Sequence, residues 1–372
     1  MIPLVYILAI IIFVYVCSFT VVTIGFIKQI DKKELVFNNN ELKISVVIAV
    51  RNEELTIEKC VESIFNQENN HDYFEIIIVD DHSTDNTIEV LRRLAEKYKN
   101  VSFYQLSNTY SKKEAIKFGV SLANNKIIAT TDADCILPPN WLNIIENKFN
   151  SGNDFLFGPV VLEDKPTFLN KFQQLDFFAM QSLTFGTSFF KQPILCNAAN
   201  MSFKKDEYIN CNDNKENKTP SGDDVFLLQQ FKKNKLLINA FLNKKFIVET
   251  KAEENFKSFI NQRVRWASKS KFYAANLLLF FSYLVFFTNV SILFIYYRII
   301  FVEQNRGVYI ILLLSKWVID FILLFLVTSF FDKRKLMKYF VPTQFLYPFY
   351  IIGVGFISQF IKFTWKGRTY NG

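Results

Sequence analysis

Four long apolar stretches frame a polar central region in this chain. Each stretch is uncharged or nearly so over the roughly 20 residues that a helix needs to cross a bilayer. Membrane-spanning segments are therefore predicted over residues 2–27, 272–297, 308–331 and 340–361. The polar region between the first two has the size of one domain. The predicted organisation is an N-terminal transmembrane anchor (1–27), a globular domain (28–271) with an amphipathic interface helix near 255–271, a C-terminal transmembrane region (272–361) and a basic tail (362–372).

Basic residues beside the apolar stretches predict the side of the membrane. Lys28, Lys32 and Lys33 follow the first stretch, which places the globular domain in the cytoplasm by the positive-inside rule. The basic run at 333–338 agrees with three alternating crossings of the inner (plasma) membrane. The charge of the tail favours the inside, whereas a fourth crossing would put the tail outside. A re-entrant or interfacial fourth segment is the alternative, because that stretch contains two prolines and two glycines.

Within the globular domain, short β-branched runs alternate with amphipathic segments. Strands are predicted at 42–50, 74–79 and 101–106 and in a run that ends at Asp132. Helices are predicted at 54–67 and 111–124 and around residues 88–94, the last capped by Ser83 or Thr84. Strands that alternate with helices predict an α/β fold with a parallel sheet and right-handed crossovers.

Composition and charge narrow the class of protein. Half of the residues are apolar and 42 of 372 are Phe, which is too apolar for a soluble domain of this length. Lys and Arg give a net charge of +8, but they concentrate beside the apolar stretches, where anionic lipids attract them, so no nucleic-acid partner is expected. Five scattered cysteines without a Cys-x-x-Cys pair indicate reduced thiols. The two histidines argue against a structural zinc site, and carboxylates are the better candidates for proton transfer.

The most informative chemistry is the pair Asp132 and Asp134 at the carboxyl end of a predicted strand, where open α/β sheets bind ligands. Carboxylate oxygens suit Mg²⁺ or Mn²⁺, which would hold the diphosphate of a nucleotide. A turn stabilised by these side chains is the structural alternative. The chain has no Gly-x-Gly-x-x-Gly or Walker sequence, which argues against a dinucleotide oxidoreductase and a P-loop ATPase.

Three further clusters of polar residues are candidates for binding or catalysis, and each has a structural alternative. Asp80 and Asp81 at the end of the second strand can accept from a nucleobase N–H, or cap the next helix. Asp223 and Asp224 follow a glycine at the start of an apolar helix, where they can also complement the helix dipole. Residues 261–266 (NQRVRW) lie in a basic amphipathic helix, which is also typical of a helix on a membrane surface.

Taken in order, these motifs resemble the membrane-bound family 2 glycosyltransferases, the group of the cellulose, hyaluronan and poly-N-acetylglucosamine synthases and the ceramide glucosyltransferases. The resemblance covers the chain from about Ile44 to Lys271, and the apolar stretches match the usual layout of the group. It implies a GT-A type fold, with a Rossmann-like mixed sheet, plus N- and C-terminal transmembrane helices.

The resemblance also implies roles for individual residues. Asp132 and Asp134 match the metal-binding pair, and Asp224 matches the catalytic base, with Asp223 where relatives often have Glu. Relatives often have Pro where Ala49 stands, an aromatic where Arg51 stands and Gly where Ser111 stands. The residues that match the nucleotide site are Ala49, Arg51, Glu53, Val79, Asp81, Lys112, Asp132 and Ala133. The residues that match the motif closing over diphosphate and acceptor are Gln262, Arg263, Arg265 and Trp266, the last of which can also anchor the helix at the membrane interface.

The expected function is inverting, metal-dependent transfer of a sugar, with Mn²⁺ or Mg²⁺ as cofactor, from a nucleotide-diphospho-sugar, a UDP-sugar being favoured. The expected partners are that donor, a lipid-linked or polysaccharide acceptor, membrane lipids and further membrane subunits. Two alternatives stay open: a catalytically inactive sugar-nucleotide-binding scaffold or transport component, and a nucleotidyltransferase.

Lys316 and Asp320, one helical turn apart in the third stretch, are expected to neutralise each other, either as packing or along a path for acceptor or product.

Overall fold

A computed structural model describes residues 2–30, 42–67, 74–107, 110–212, 223–268, 276–360, 363–365 and 368–370. The chain forms two compact units. The sheet unit consists of Lys32–Glu163 and Leu195–Lys251, and the helical unit of Met1–Asp31, Asp164–Ile194 and Ala252–Gly372. Two segments of the predicted globular domain, 164–194 and 252–268, thus belong to the unit that contains the apolar helices.

The sheet unit is built on a seven-stranded mixed sheet with the strand order β3-β2-β1-β4-β7-β5-β8. The first four strands are parallel, while β7 is antiparallel to both β4 and β5. A second, two-stranded parallel sheet pairs β6 with β9. The strands of this unit are β1 (Ile44–Val50), β2 (Phe74–Asp80), β3 (Val101–Gln105), β4 (Ile127–Asp132), β5 (Phe155–Phe157), β6 (Val160–Leu162), β7 (Met201–Lys204), β8 (Ile238–Ala240) and β9 (Val248–Thr250). The helices of this unit are α2 (Ile57–Phe65), α3 (Thr87–Lys97), α4 (Lys112–Leu122), α5 (Trp141–Asn150), α7 (Lys205–Asn212) and α8 (Asp223–Lys233).

The predicted α/β alternation is confirmed, and its physical basis is the continuous burial of the central strands. Every side chain of β1 except Ala49 is buried, and α2 and α3 each turn a buried apolar face to the core. Gly119 lets α4 approach the sheet, since a Cβ there would lie 2.5 Å from Val47 Cγ1. Because the strands are parallel, the carboxyl ends of β2, β1 and β4 lie at one edge.

Among the residues that the structure describes, four helices are long and apolar enough to cross a membrane, as the sequence predicted. They span Leu4–Ile30, Leu277–Phe301, Arg306–Phe330 and Arg334–Phe360, the last with a 3₁₀ segment at its start. The helices of the helical unit are α1 (Ile2–Ile30), α6 (Phe168–Phe189), α9 (Phe256–Ser268), α10 (Asn276–Phe301), α11 (Arg306–Phe330) and α12 (Phe340–Phe360). A short hairpin of β10 (Phe363–Trp365) and β11 (Arg368–Tyr370) follows.

Helix α6 packs closely against α1 in the helical unit. The contact depends on two glycines, because a Cβ at Gly25 would lie 2.1 Å from the carbonyl oxygen of Gly186, and a Cβ at Gly186 would lie 2.4 Å from that of Val22. The two backbones therefore touch directly. The pattern of apolar positions did not predict this contact.

Buried charges in the helical unit are paired. Lys316 Nζ lies 2.7 Å from Asp320 Oδ2, which confirms the predicted neutralisation, and also donates to Gln344 Oε1 at 2.6 Å. The other oxygen of Asp320 accepts from the Tyr15 hydroxyl at 2.8 Å. The pair thus joins α11 to α1 and α12.

Candidate active site

The predicted nucleotide-binding residues converge at the carboxyl edge of three neighbouring strands. In the β1–β2 register Ala49 lies opposite Val79, and in the β1–β4 register Ala49 lies opposite Asp132. Val50 lies opposite Asp80, the last residue of β2. The ends of the three strands are therefore level, and the loops that follow them begin side by side.

The loops after β1 and β2 are bound to each other. Arg51 Nη1 donates to the backbone carbonyls of Asp81 at 2.7 Å and His82 at 3.1 Å. Arg51 stands where relatives of the resembled family have an aromatic residue, and here it fixes the backbone of the neighbouring loop. Its side chain accordingly has a structural explanation within this chain.

Ser83 and Thr84 do not cap α3, so that prediction is wrong. Asn52 N–H donates to the Ser83 hydroxyl at 2.9 Å, and Thr84 N–H donates to Asn52 Oδ1 at 2.8 Å. The residue before α3 is Asn86, which makes no side-chain cap. Both candidate capping residues instead bridge to the loop after β1, a contact that local sequence signals do not contain.

Two adjacent acids at the end of β2 have different surroundings. The carboxylate of Asp80 accepts from Ser83 N–H at 3.2 Å, so it stabilises the turn. Asp81 Oδ1 lies 3.3 Å from His82 Nδ1, and the His82 ring stacks on Tyr110 with 4.2 Å between centroids. Tyr110 is 58% exposed and offers an aromatic surface beside Asp81 that the sequence reasoning missed. The two acids are thus separated into a turn-stabilising one and one that adjoins an aromatic pair.

Glu53 contributes to the start of α2. Its carboxylate accepts from the Thr56 hydroxyl at 2.6 Å, and its N–H donates to the Thr87 hydroxyl at 2.8 Å. The first contact lies within the loop after β1, and the second holds that loop against the start of α3. The structure therefore places Glu53 at the predicted edge and gives it a role in shaping that edge.

Lys112 and Asp132 form an ion pair at this edge. Lys112 is the first residue of α4, and its ammonium group pairs with the Asp132 carboxylate at the end of β4. The side chains are 26% and 32% exposed, so the pair is open to solvent. Both residues were assigned to the nucleotide site from the sequence, and the structure brings them into contact.

The backbone that presents Lys112 is unusual. Ser111 caps α4 by accepting from Glu114 N–H at 3.2 Å, with φ 152° and ψ 157°. Glycine adopts this region of φ without strain, whereas residues with a Cβ rarely do. The glycine that relatives have at this position thus matches the backbone that this chain adopts with serine.

Asp134 follows Asp132 across the buried Ala133 in a tight turn, in which Cys135 N–H donates to the Asp132 carbonyl at 3.1 Å. Burial, together with the charges of Asp134 and Asp132, raises the pKa of the Cys60 and Cys135 thiols, which stay protonated at neutral pH. The donors available to a cation here are therefore carboxylate oxygens, which suit Mg²⁺ or Mn²⁺. The described residues contain no group of three or more His, Cys, Asp or Glu placed for a metal, so two carboxylates fit a cation only if donor phosphates or water complete its coordination.

Asp224 lies at the start of α8, in the same unit. Its backbone carbonyl accepts from Cys196 Sγ at 3.2 Å, and the carbonyl of Ala198 accepts from the Thr130 hydroxyl of β4 at 3.1 Å. Burial of the thiol, with the charge of Asp224, raises the pKa of Cys196. Segment 196–198 thus connects the start of α8 to β4. Gly222 lies outside the described residues, and the structure describes no side chain for Asp223.

The four residues predicted to close over diphosphate and acceptor lie on α9, in the helical unit. Arg263 is buried and forms an ion pair with Asp176 of α6, Nε to Oδ2 at 2.8 Å. Burial alone lowers the pKa of Arg263, but the charge of Asp176 and the hydroxyl of Tyr350 outweigh it, and the net shift is upward. Gln262, Arg265 and Trp266 are half-buried. Sequence reasoning missed Asp176, whose only signal is an acid within an aromatic helix.

Comparison with known proteins identifies the central part of the chain. The family model "Glycosyl transferase family 2" matches residues 45–219. Poly(ribitol-phosphate) beta-glucosyltransferase of Bacillus spizizenii is 45% identical over 60 residues, 16% of this chain and 10% of that protein. Beta-monoglucosyldiacylglycerol synthase of Nostoc sp. is 34% identical over 101 residues, 27% of this chain and 22% of that protein. These matches thus span about a tenth to a fifth of the length of the two relatives.

A solved structure shares the fold. The mannosyltransferase from Pyrobaculum calidifontis, in complex with GDP-Man and Mn²⁺, superposes with a TM-score of 0.61 and 15% identity, covering 95% of this chain and 99% of that chain. At this identity the likeness establishes the fold alone. By the family match and this fold, the chain carries a family 2 glycosyltransferase domain of the GT-A type over residues 45–219.

Proposed function

We propose that this protein transfers a sugar from a nucleotide-diphospho-sugar to a lipid-linked or polysaccharide acceptor, with inversion at the anomeric carbon. The observation that carries the proposal is the open Lys112–Asp132 pair at the common carboxyl edge of β2, β1 and β4. A lysine ammonium, together with a divalent cation held by carboxylates, can stabilise a departing nucleoside diphosphate, because the leaving group gains negative charge as its bond to the anomeric carbon breaks.

Asp132 and Asp134 would hold Mn²⁺ or Mg²⁺, and the Mn²⁺ in the mannosyltransferase of similar fold supports this cofactor. A bound cation would supply positive charge to the diphosphate. The Lys112 ammonium, which pairs with Asp132, would donate to a phosphate oxygen. Arg265 would add a second protein cation, in keeping with the motif on α9.

The nucleoside would lie over the ends of β1 and β2. Ala49 and Val79 form the floor there, and Asp81 would accept a hydrogen bond from the base. Arg51 and Glu53 would keep the two loops in place through the contacts described above. The bound mannosyltransferase donor is a guanosine nucleotide, so both UDP- and GDP-sugars belong in the test.

Asp224 would act as the general base. A carboxylate can take the proton of an acceptor hydroxyl. Attack by that hydroxyl opposite to the leaving diphosphate inverts the anomeric configuration. Asp223 would assist beside it, and Gln262 and Trp266 would contact the acceptor.

The apolar helices would place the protein in the inner (plasma) membrane, with the sheet unit in the cytoplasm. Large apolar side chains on their outer faces support this, for example Phe13 (68% exposed), Ile311 (65%) and Phe356 (66%). One relative is named as a synthase of a glucosylated diacylglycerol, which supports a lipid acceptor. A water-soluble donor would meet such an acceptor at the membrane surface.

The test is turnover of a panel of UDP- and GDP-sugars by the full-length protein in phosphatidylglycerol vesicles, with Mn²⁺ or Mg²⁺ and with EDTA. Dioleoylglycerol and a polyprenyl phosphate serve as acceptor probes. We expect release of nucleoside diphosphate by the wild type and by the control Asp206→Asn, an exposed acid on α7, and large losses with EDTA, Asp134→Ala and Asp224→Asn. Equal turnover in all the proteins would contradict the proposal.

The same assay separates the alternatives. Nucleotide binding without turnover across the panel would indicate an inactive scaffold, and release of pyrophosphate would indicate a nucleotidyltransferase. The departures at Arg51 and Ser111 do not favour the scaffold, because Arg51 fixes the second loop and Ser111 caps α4.

A further inference from the structure

A single buried carboxylate gathers donors from two other helices in the helical unit. Asp176 of α6 is 3% exposed. Its Oδ2 accepts from Arg263 Nε at 2.8 Å and from the Tyr350 hydroxyl at 3.2 Å, and its Oδ1 accepts from the Tyr347 hydroxyl at 3.1 Å. The carboxylate therefore ties α6 to α9 and α12 with three hydrogen bonds.

Arg263, held by Asp176, also contacts two other residues of the predicted acceptor motif. Its guanidinium carbon lies 4.2 Å from the centre of the Trp266 ring, and its Nη1 donates to Gln262 Oε1. Gln262 Nε2 donates in turn to Glu253 Oε1 at 2.9 Å. The side chains of Gln262 and Trp266 are thus both oriented by one buried arginine.

Helix α6 also holds the chain just before α9. Gln173, one turn before Asp176, donates to the Glu253 carbonyl at 2.9 Å and accepts from Glu253 N–H at 3.0 Å. Tyr350 stacks on Phe259 with 5.4 Å between centroids and meets Phe172 edge-on at 5.3 Å. These aromatic rings close the ion pair off from water.

A buried ion pair is weak evidence for stability, since well-packed apolar residues often replace such a pair without loss. An arginine can, however, orient the side chains around it, because its planar guanidinium group forms hydrogen bonds and stacks on rings at defined angles. The Asp176–Arg263 pair is therefore better explained by the orientation it gives to neighbouring side chains than by a contribution to the free energy of unfolding.

We propose that Asp176 and Arg263 are positioning residues, which hold Gln262 and Trp266 in the orientation in which these two residues meet the acceptor. This inference rests on the proposed function and extends it, because it assigns part of acceptor binding to the packing of α6 and α12 on α9. Asp176 and Arg263 act through Gln262 and Trp266, without contact to a reacting atom.

The kinetic test compares Asp176→Asn and Arg263→Lys with the wild type, using the acceptor probe that supports transfer. We expect at least a tenfold rise in the acceptor KM for Asp176→Asn, a smaller rise for the charge-conserving Arg263→Lys, and a donor KM within twofold of the wild type. The matched control is Asp164→Asn, an exposed acid in the same unit, which should leave all constants unchanged.

The double variant Asp176→Leu/Arg263→Met separates positioning from stability. Apolar replacement should restore the unfolding midpoint to near that of the wild type, while the acceptor KM stays at least tenfold raised. Recovery of the acceptor KM together with the unfolding midpoint would overturn the proposal, because a purely structural pair would be replaceable.

A fluorescence measurement tests the orientation of Trp266 without requiring sugar transfer. The emission of Trp266 is obtained as the difference between each protein and the same protein with Trp266→Phe. We expect the double variant to shift that emission to longer wavelength and to make acrylamide quenching at least twofold stronger, with no change in Asp164→Asn. An unchanged Trp266 signal would overturn the proposal. If the wild type transfers no sugar, the proposed function fails, and this signal still tells whether the pair orients Trp266.

Discussion

The two units of the protein each contain an ion pair between a carboxylate and a cation, and the two pairs differ in what they can do. Lys112–Asp132 in the sheet unit is about a quarter to a third exposed, whereas Arg263–Asp176 in the helical unit is 5% and 3% exposed. The open pair can be reached by a ligand from solvent. The carboxylate of the sealed pair already accepts from three protein donors. Exposure, more than residue type, therefore decides which charges are available to a substrate.

The origin of the difference is the kind of element that supplies each partner. The open pair forms where a parallel strand ends and a helix begins, so both side chains leave the core at the edge of the sheet. The sealed pair forms between helices whose facing side chains are aromatic. The motif on α9 contains two arginines. Arg263 is buried in an ion pair with Asp176, and Arg265 is the arginine that we propose for binding the diphosphate.

The largest difference is expected in stability. Arg263→Ala leaves Asp176 buried without its cation and should lower the free energy of unfolding by about 3–5 kcal/mol. Lys112→Ala should lower it by no more than about 1 kcal/mol, because that pair is solvated. Denaturant unfolding in detergent measures the free energy of unfolding of both variants. Similar losses in the two would contradict the distinction between a sealed and an open ion pair.

The next effect should fall on activity alone. Asp132→Asn should reduce kcat about 10²–10³-fold, the usual cost of removing one group that stabilises developing charge. Its unfolding midpoint should change little. The control is Asp154→Asn, which breaks the Lys204–Asp154 pair elsewhere in the sheet unit and should leave kcat unchanged. Full activity in Asp132→Asn would show that the open pair does not serve the reaction.

A smaller effect should follow from filling the contact between α1 and α6. Gly186→Ala places a Cβ against the carbonyl of Val22 and should cost about 1–3 kcal/mol, as overpacking does. Gly353→Ala in α12 is the matched control, since a Cβ there meets nothing within 4 Å. Thermal unfolding of both variants gives the comparison, and an equally tolerated Gly186→Ala would contradict direct backbone contact.

At the open site, Ser111→Gly should stabilise the sheet unit by about 0.5–1 kcal/mol. Glycine relieves the strain of φ 152° and loses only a few tenths of a kcal/mol as a cap, although it adds entropy to the unfolded chain. Ser111→Ala keeps the strain and should cost about 1 kcal/mol. An unfolding midpoint of Ser111→Gly below that of the wild type would show that the cap matters more than the backbone.

The smallest effect concerns pH. Asp85 accepts from the N–H and hydroxyl of Thr87 and from Glu54 N–H. Burial opposes the shift, but these hydrogen bonds outweigh it and lower the pKa of Asp85 below its usual 3.8. A lowered pKa means that the contribution to stability is present above the unfolded pKa and is lost as the pH falls through the folded value. The difference in unfolding midpoint between the wild type and Asp85→Asn should be constant above about pH 5 and shrink below pH 3.8. A difference that first shrinks near neutral pH would contradict this.

The sequence by itself determined the elements and their kind. Strand β1 could be predicted because five of its seven residues are apolar and β-branched. The apolar helices could be predicted because length and hydropathy suffice. The acids at the ends of β2 and β4 could be placed at one edge, because parallel strands end on the same side. These are local signals combined with one general rule of topology.

The tertiary structure alone decided which of these residues meet. Asp176 and Arg263 are 87 residues apart in the chain, and Tyr347 and Asp176 are 171 apart, so no periodicity or motif contains their contact. The same holds for Arg51 on the loop after β2 and for α6 against α1. Apolar patterns specify that a face is buried, but the partner of a polar or glycine position depends on where the rest of the chain packs, because hydrogen bonds and backbone contacts act only over a few ångströms.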